Sequence, residues 1–264
     1  MSLRLGAVSY LNTRPLTVCL EGPESPFELA YSVPAVCGAN LAAGAVDLGL
    51  IPSIEYARSS QPYCIVPNIA IGSHGPVLTV RLFCRCPLHQ VERIALDTSS
   101  RTSVALLAIL LREKFGLNPE LVEAPPDLDA MLELADAALL IGDPVFAQLD
   151  RDLESLDLGQ EWTTMTNLPF VFAFWAGRSQ ALAPPQIRAL QQARDQGLPQ
   201  VPAIAQTYSR QHGGPAELYE RYLTQHIRFG LDEAAQTGLR LFYQLAHRHG
   251  LIDAVPTLRF YATH

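Results

Sequence analysis

The stretch Arg4-Leu5-Gly6-Ala7-Val8-Ser9-Tyr10-Leu11-Asn12-Thr13-Arg14-Pro15-Leu16 changes character in its middle. Arg4 to Val8 is a short apolar run that reads as a buried strand. Arg14-Pro15-Leu16 reads as a helix start, because proline suits the first turn, where its missing N–H has no partner to lose. Ser9 to Thr13 between them is a polar turn. Strand, polar turn and helix form the unit from which α/β folds are built, so the rest of the chain is read for its recurrence.

The unit recurs. Phe27 to Tyr31 reads as a strand, followed by Ser32 as a cap for a helix with Pro34 in its early turn and Gly44 near its end. Val46 to Ile51 is an apolar strand that runs directly into Pro52-Ser53-Ile54-Glu55-Tyr56. Val66 to Ile71 and Val77 to Cys84 read as strands around the turn Gly72-Ser73-His74-Gly75-Pro76. The pattern then restarts with a strand at Arg93 to Leu96, a polar loop at Asp97 to Arg101 and an amphipathic helix from Thr102 to Phe115. A helix from Asp127 to Leu134 leads to the strand Ala137 to Ile141 and to Gly142-Asp143-Pro144. Phe170 to Trp175 reads as a returning strand, and from Pro184 onward the chain is mainly helical. This alternation predicts an α/β fold of two lobes, with mostly parallel sheets and flanking helices. The restart and the return place residues 1–86 and 176–264 in lobe I and residues 87–175 in an inserted lobe II.

Bulk properties narrow the function. A chain of 264 residues has room for two domains, and 48% hydrophobic with 17% charged residues is a globular composition. Nineteen basic against 26 acidic residues leave a net charge of −7, without the basic stripe that nucleic acid demands. The opening residues enter a strand with no export-signal pattern, and no apolar run is long enough for a membrane span. The expected partner is a small molecule, in the cytoplasm, with no nucleic acid and no membrane. Cys19, Cys37, Cys64, Cys84 and Cys86 are scattered and read as free thiols; Cys84-x-Cys86 has neither redox nor zinc spacing. Lys114 is the single lysine and sits within a helix, a poor Schiff-base candidate.

In open α/β sheets ligands bind beyond the carboxyl ends of strands. Four such turns here are rich in hydroxyl or amide groups and poor in carboxylates: Ser9 to Thr13, Pro52-Ser53, Gly72 to Gly75, and Thr98 to Ser103. Helix capping explains any one of them. Four together point to a site for a small anion, held by helix N-termini and hydroxyls. The candidates are Ser9, Tyr10, Arg14, Ser53, Ser73, His74, Ser99, Ser100, Arg101, Thr102, Ser103 and Asp143. Arg14 and Arg101 fit equally a ligand contact or a surface ion pair, and Asp143 fits an acid–base role or a cap or hinge role. Asn12 both donates and accepts, so it suits the orientation of a substrate hydroxyl. No Gly-x-Ser-x-Gly elbow, phosphate loop or dinucleotide fingerprint occurs, and neither metal nor cofactor is expected.

The run Gly6 to Leu16 closely resembles the opening of the chorismate dehydratase family of the futalosine route to menaquinone. Further matches follow in order: Leu48 to Tyr56, Ser99-Ser100-Arg101-Thr102-Ser103, Ile141-Gly142-Asp143, Asp157 to Trp162, and Leu168 to Ala173. The resemblance spans essentially the whole chain. It implies a type II periplasmic-binding-protein-like fold and a lyase that dehydrates chorismate, a dianion, to 3-[(1-carboxyvinyl)oxy]benzoate. It also implies a catalytic role for Asn12, the asparagine of the opening motif. His74, Asp143 and Glu55 are the protein bases within reach of the expected cleft, and a mechanism with a substrate carboxylate as base fits that shortage. The sister dihydroxynaphthoate synthase opens with a His-Ser-Pro-Cys-Pro-Asn-Asp type motif, which is absent. The alternative is a non-catalytic binding or sensing protein for a small carboxylate.

Overall fold

A computed structural model describes residues 2–22 and 25–263. Among the described residues, eleven strands form two sheets. The first holds β1 (Leu3–Val8), β2 (Phe27–Ser32), β3 (Leu48–Pro52), β4 (Tyr63–Ile65), β5 (Ile71–Ser73) and, far along the chain, β11 (Phe170–Arg178). The second holds β6 (Val80–Cys84), β7 (Arg93–Asp97), β8 (Glu120–Ala124), β9 (Ala137–Ile141) and β10 (Glu154–Asp157). The spatial orders are β2-β1-β3-β11-β4, with β5 also on β11, and β10-β6-β9-β7-β8. β3 and β9 are buried along their whole length, as the uninterrupted apolar runs require when helices cover both faces of a sheet.

Both sheets are mixed, which corrects the expectation of mainly parallel pairing. β1 runs parallel to β2 and β3, and β7 runs parallel to β8 and β9. β11 is antiparallel to β3, β4 and β5, and β6 is antiparallel to β9 and β10. The reason is topological. β1, β3, β7 and β9 end at the junction between the lobes, whereas β6 and β11 begin there, each carrying the chain away after it has crossed from the other sheet. The same two strands move the lobe limits. Val80–Cys84, expected in lobe I, pairs within the second sheet, and Phe170 to Trp175, expected in lobe II, pairs within the first. The restart of the pattern near residue 90 marks a new strand–helix unit, one strand later than the change of sheet.

Smaller differences have local causes. The expected strand Val66 to Ile71 does not form: residues 66–70 connect β4 to β5, with Asn68 at a left-handed φ of 65° after Pro67, and only Ile71 belongs to a strand. Pro34 opens the helix Pro34–Ala43 as expected, but Val33 rather than Ser32 occupies the capping position. All five cysteines are free; Cys37 and Cys84 are buried, and burial pushes both thiols up to about 12. No helix among the described residues is long and apolar enough to cross a membrane.

The lobes meet through hydrogen bonds rather than apolar contact alone. Ala35 N–H in the first lobe donates to the Ser99 carbonyl in the second at 3.1 Å. Ile54 N–H donates to Thr102 Oγ1 at 3.2 Å, which satisfies an otherwise free donor at the start of the helix Ser53–Arg58. These ties hold the ends of β1, β3, β7 and β9 around a common space.

Candidate functional site

That space is a chamber of about 60 Å³ between the two sheets. Its first-lobe wall includes Val8, Tyr10, Asn12, Pro52 and Phe172, and its second-lobe wall includes Thr79, Ser100, Thr102, Ser103 and Ile141. No Asp, Glu, Lys, Arg or His side chain is among the residues that line it. The polar equipment consists of one carboxamide, several hydroxyls and the N-terminus of the helix Arg101–Leu110. Free N–H groups and the partial positive charge of a helix start suit a carboxylate.

The helix start is built by Ser100. Its Oγ accepts Ser103 N–H at 3.2 Å and donates to Ser103 Oγ at 2.9 Å, so a serine cap holds two chamber hydroxyls in register. Below it, buried Asp97 accepts both the N–H and the hydroxyl of Ser99, at 2.8 and 2.5 Å, and Ile141 N–H at 3.3 Å. Burial holds the Asp97 carboxyl above its usual range, although these donors oppose the shift. Ser99 Oγ lies 3.1 Å from Tyr10 Oη, so the tyrosine is anchored to the second lobe. Burial pushes the Tyr10 phenol up to about 12, so it stays a neutral donor.

The turn after β1 carries Asn12. Ser9 N–H bonds the Ser32 carbonyl at 3.0 Å, and Leu11–Thr13 forms a single tight helical turn before Arg14–Thr17. Leu11 N–H points at Asp143, 3.0 Å from each carboxylate oxygen. Asp143 follows Gly142, whose φ of 70° and ψ of −154° suit only glycine. A Cβ at residue 142 would stand 2.6 Å from the Tyr10 ring, so the two lobes touch here backbone to ring. Asn12 Nδ2 donates to Tyr222 Oη at 3.0 Å, and Tyr222 Oη lies 2.8 Å from Thr79 Oγ1.

Of the residues expected at the site, Tyr10, Asn12, Ser100, Thr102 and Ser103 come together at the chamber, with Ser99 bonded behind Tyr10. Others do not reach it. Arg14 Nη1 is engaged by Glu21 at 2.8 Å and by Tyr31 Oη at 2.9 Å, beside an outer groove that also holds Ser9. Arg101 turns outward and pairs with Glu55 at 3.3 Å. Ser53 is buried and donates to the Val171 carbonyl at 2.8 Å, tying its helix to β11. Ser73 Oγ is buried without a hydrogen-bond partner, against Gly159, and His74 is exposed on the turn beyond it. Asp143 lies on the outer side of the Tyr10 turn. Thr79 and Tyr222 were not anticipated. Thr79 carries no motif, and Tyr222 belongs to a helical region 143 positions further on, with no local signal for a place in the core.

As for holding a metal, no group of His, Cys, Asp and Glu suited to a metal occurs among the described residues. The arrangement can hold an anion by dipoles and present a carboxamide to a hydroxyl.

Comparison with known proteins agrees with this architecture. A chorismate dehydratase from Thermus thermophilus is 33% identical over 258 residues, covering 90% of this chain and 93% of its own. Protein AF1704 from Archaeoglobus fulgidus superposes with a TM-score of 0.77 at 19% identity, over 95% of this chain and 98% of that one. The alkanesulfonate-binding protein SsuA from Xanthomonas axonopodis pv. citri, bound to MOPS, gives a TM-score of 0.68 at 17% identity, over 97% and 94% of the two chains. At those identities the two structures establish the fold alone, that of the periplasmic binding proteins. The sequence profile of the family described as menaquinone biosynthesis matches residues 3–248, and the chain belongs to that family.

Proposed function

We propose that this protein removes water from chorismate to give 3-[(1-carboxyvinyl)oxy]benzoate, as a cytoplasmic lyase. The observation that carries the reading is the chamber without charged side chains, lined by hydroxyls, a helix N-terminus and Asn12, in a chain 33% identical to a chorismate dehydratase.

The chemistry follows from the substrate and the lining. Loss of the C3 proton and the C4 hydroxyl makes the ring aromatic, which supplies the driving force. The C3 proton is vinylogous to the ring carboxylate, so negative charge develops towards that carboxylate as the C3–H bond breaks. The helix start at Ser100 to Ser103 stabilises that charge with dipoles already in place. Asn12 hydrogen-bonds the C4 hydroxyl and orients it for departure. Because no carboxylate or imidazole lines the chamber, the base is the substrate's own enolpyruvyl carboxylate. It takes the C3 proton, the C–H electrons enter the ring, the C4–O bond breaks, and the proton leaves with the hydroxide as water. The lobes part to admit the dianion, since a space of about 60 Å³ is tight for a ring with two substituents. Asp143 and Tyr10 tie the two lobes together, while Ser9 and Arg14 face the outer groove and take no part in holding the substrate.

Incubation with chorismate, followed by chromatography and mass spectrometry, tests this. The expected product is one water lighter and co-elutes with authentic 3-[(1-carboxyvinyl)oxy]benzoate. Chorismate bound but recovered unchanged, or only the aromatics formed without protein, contradicts it and leaves a binding protein.

A further inference from the structure

Tyr222 lies outside every strand-end turn, yet it is fully buried and its hydroxyl joins two polar groups that face the chamber from opposite walls. Asn12 and Thr79 both line the chamber; Tyr222 stands behind them. A phenol has a single proton. With its oxygen accepting the Asn12 amide, 3.0 Å away, that proton goes to Thr79 Oγ1 at 2.8 Å. The carboxamide is then held with Oδ1 free for the chamber. If the carboxamide turned over, Oδ1 would face the phenol, and Tyr222 would have to withdraw its proton from Thr79 to satisfy it.

The phenol is itself fixed. Phe146, from the second lobe, meets the Tyr222 ring edge-on at 5.1 Å and 85°. The backbone at Tyr222–His226 widens into an i→i+5 turn, with Ile227 N–H on the Tyr222 carbonyl at 3.2 Å. Such one-turn irregularities recur where a helix must aim a particular side chain. Burial raises the phenol's pKa, so its proton is present throughout the working range.

We propose that Tyr222 is a positioning residue for the dehydration, fixing which way round the Asn12 carboxamide meets the substrate hydroxyl. The inference rests on the role proposed for Asn12 above. It assigns Tyr222 no contact with the substrate, so its effect passes through Asn12.

Tyr222→Phe removes one oxygen and keeps the ring. The expected result is a fall in kcat for chorismate of roughly 10- to 100-fold with KM within about twofold. In the residual turnover of Asn12→Ala, the same change has no further effect, because sites that act through one group are not additive. An unchanged kcat, or the same loss in both backgrounds, overturns the proposal. A measurement on the unsubstituted protein needs neither variant folding nor turnover. With 15N-labelled asparagine, of which the chain has five, the Asn12 carboxamide is expected to show one proton close to the Tyr222 ring and protected from exchange. Two equally exchanging protons overturn the proposal. Failure of the wild type to convert chorismate overturns the proposed function instead, and leaves this hydrogen-bond test standing.

Discussion

Asp143 in the second lobe grips the backbone N–H of Leu11 in the first, with both carboxylate oxygens 3.0 Å from the nitrogen. The contact immediately precedes Asn12, so the backbone that carries the carboxamide is tied directly to the second lobe. Tyr10 reinforces it from the other side, through Ser99 and against Gly142.

The clasp has a pH signature. Burial pushes the Asp143 carboxyl up to about 6, against the lowering effects of Leu11 N–H, the Tyr208 hydroxyl and His212; Tyr219 and Tyr222 also face it. A raised carboxyl means that the folded protein binds this proton more tightly than the unfolded chain. Its contribution to stability is complete below about pH 4 and is lost as pH rises to about 6. Asp143→Asn keeps an acceptor for Leu11 N–H without a charge to bury. Denaturant titration is expected to find the variant more stable than wild type at pH 7.5, by up to about 2 kcal/mol, with the gap closing towards pH 4. A gap independent of pH counts against a half-buried, ionising Asp143.

Gly142→Ala is expected to damage both stability and turnover. The backbone there has φ 70° and ψ −154°, and the new methyl would lie 2.6 Å from the Tyr10 ring. A loss of roughly 3 kcal/mol follows from strain and clash together. Thermal denaturation checks it, and a Tm within a degree of wild type contradicts the contact.

Ser100→Ala removes the cap of the helix Arg101–Leu110 and the partner of Ser103. Stability is expected to fall by about 1 kcal/mol. The helix start would also hold the ring carboxylate less firmly, so kcat/KM for chorismate drops by more than tenfold. Loss of stability alone, with kcat/KM intact, places the carboxylate elsewhere.

Arg101→Ala is the contrasting case. The guanidinium is 52% exposed and reaches only Glu55, at 3.3 Å. Such surface pairs contribute about 0.5 kcal/mol or less. Turnover is expected to stay within about twofold of wild type, and a large loss would bring Arg101 into the site.

The sequence made the strand-to-helix turns visible because their signals are local: apolar run, hydroxyl cluster, proline at the first turn. Ser9 to Thr13 and Ser99 to Ser103 were therefore legible as facing loops. Strand direction was not, since Val80–Cys84 and Phe170–Arg178 look like any buried strand until their starting point at the cleft is known. The two arginines were ambiguous for a similar reason. Glu21 and Tyr31 take Arg14, and Glu55 takes Arg101, pairings between chain segments that spacing alone does not reveal. Tyr222 was invisible because its role depends on a hydrogen bond to a residue 210 positions away.

In the proposed reaction, Asn12 acts on a chorismate held by its neighbours. This role is tested most directly by titrating chorismate into Asn12→Ala in a calorimeter and assaying the same sample for product. Affinity is expected within about threefold of the wild-type KM and turnover slower by at least about 100-fold, the loss of an interaction made mainly in the transition state. Near-normal formation of 3-[(1-carboxyvinyl)oxy]benzoate by Asn12→Ala contradicts that role.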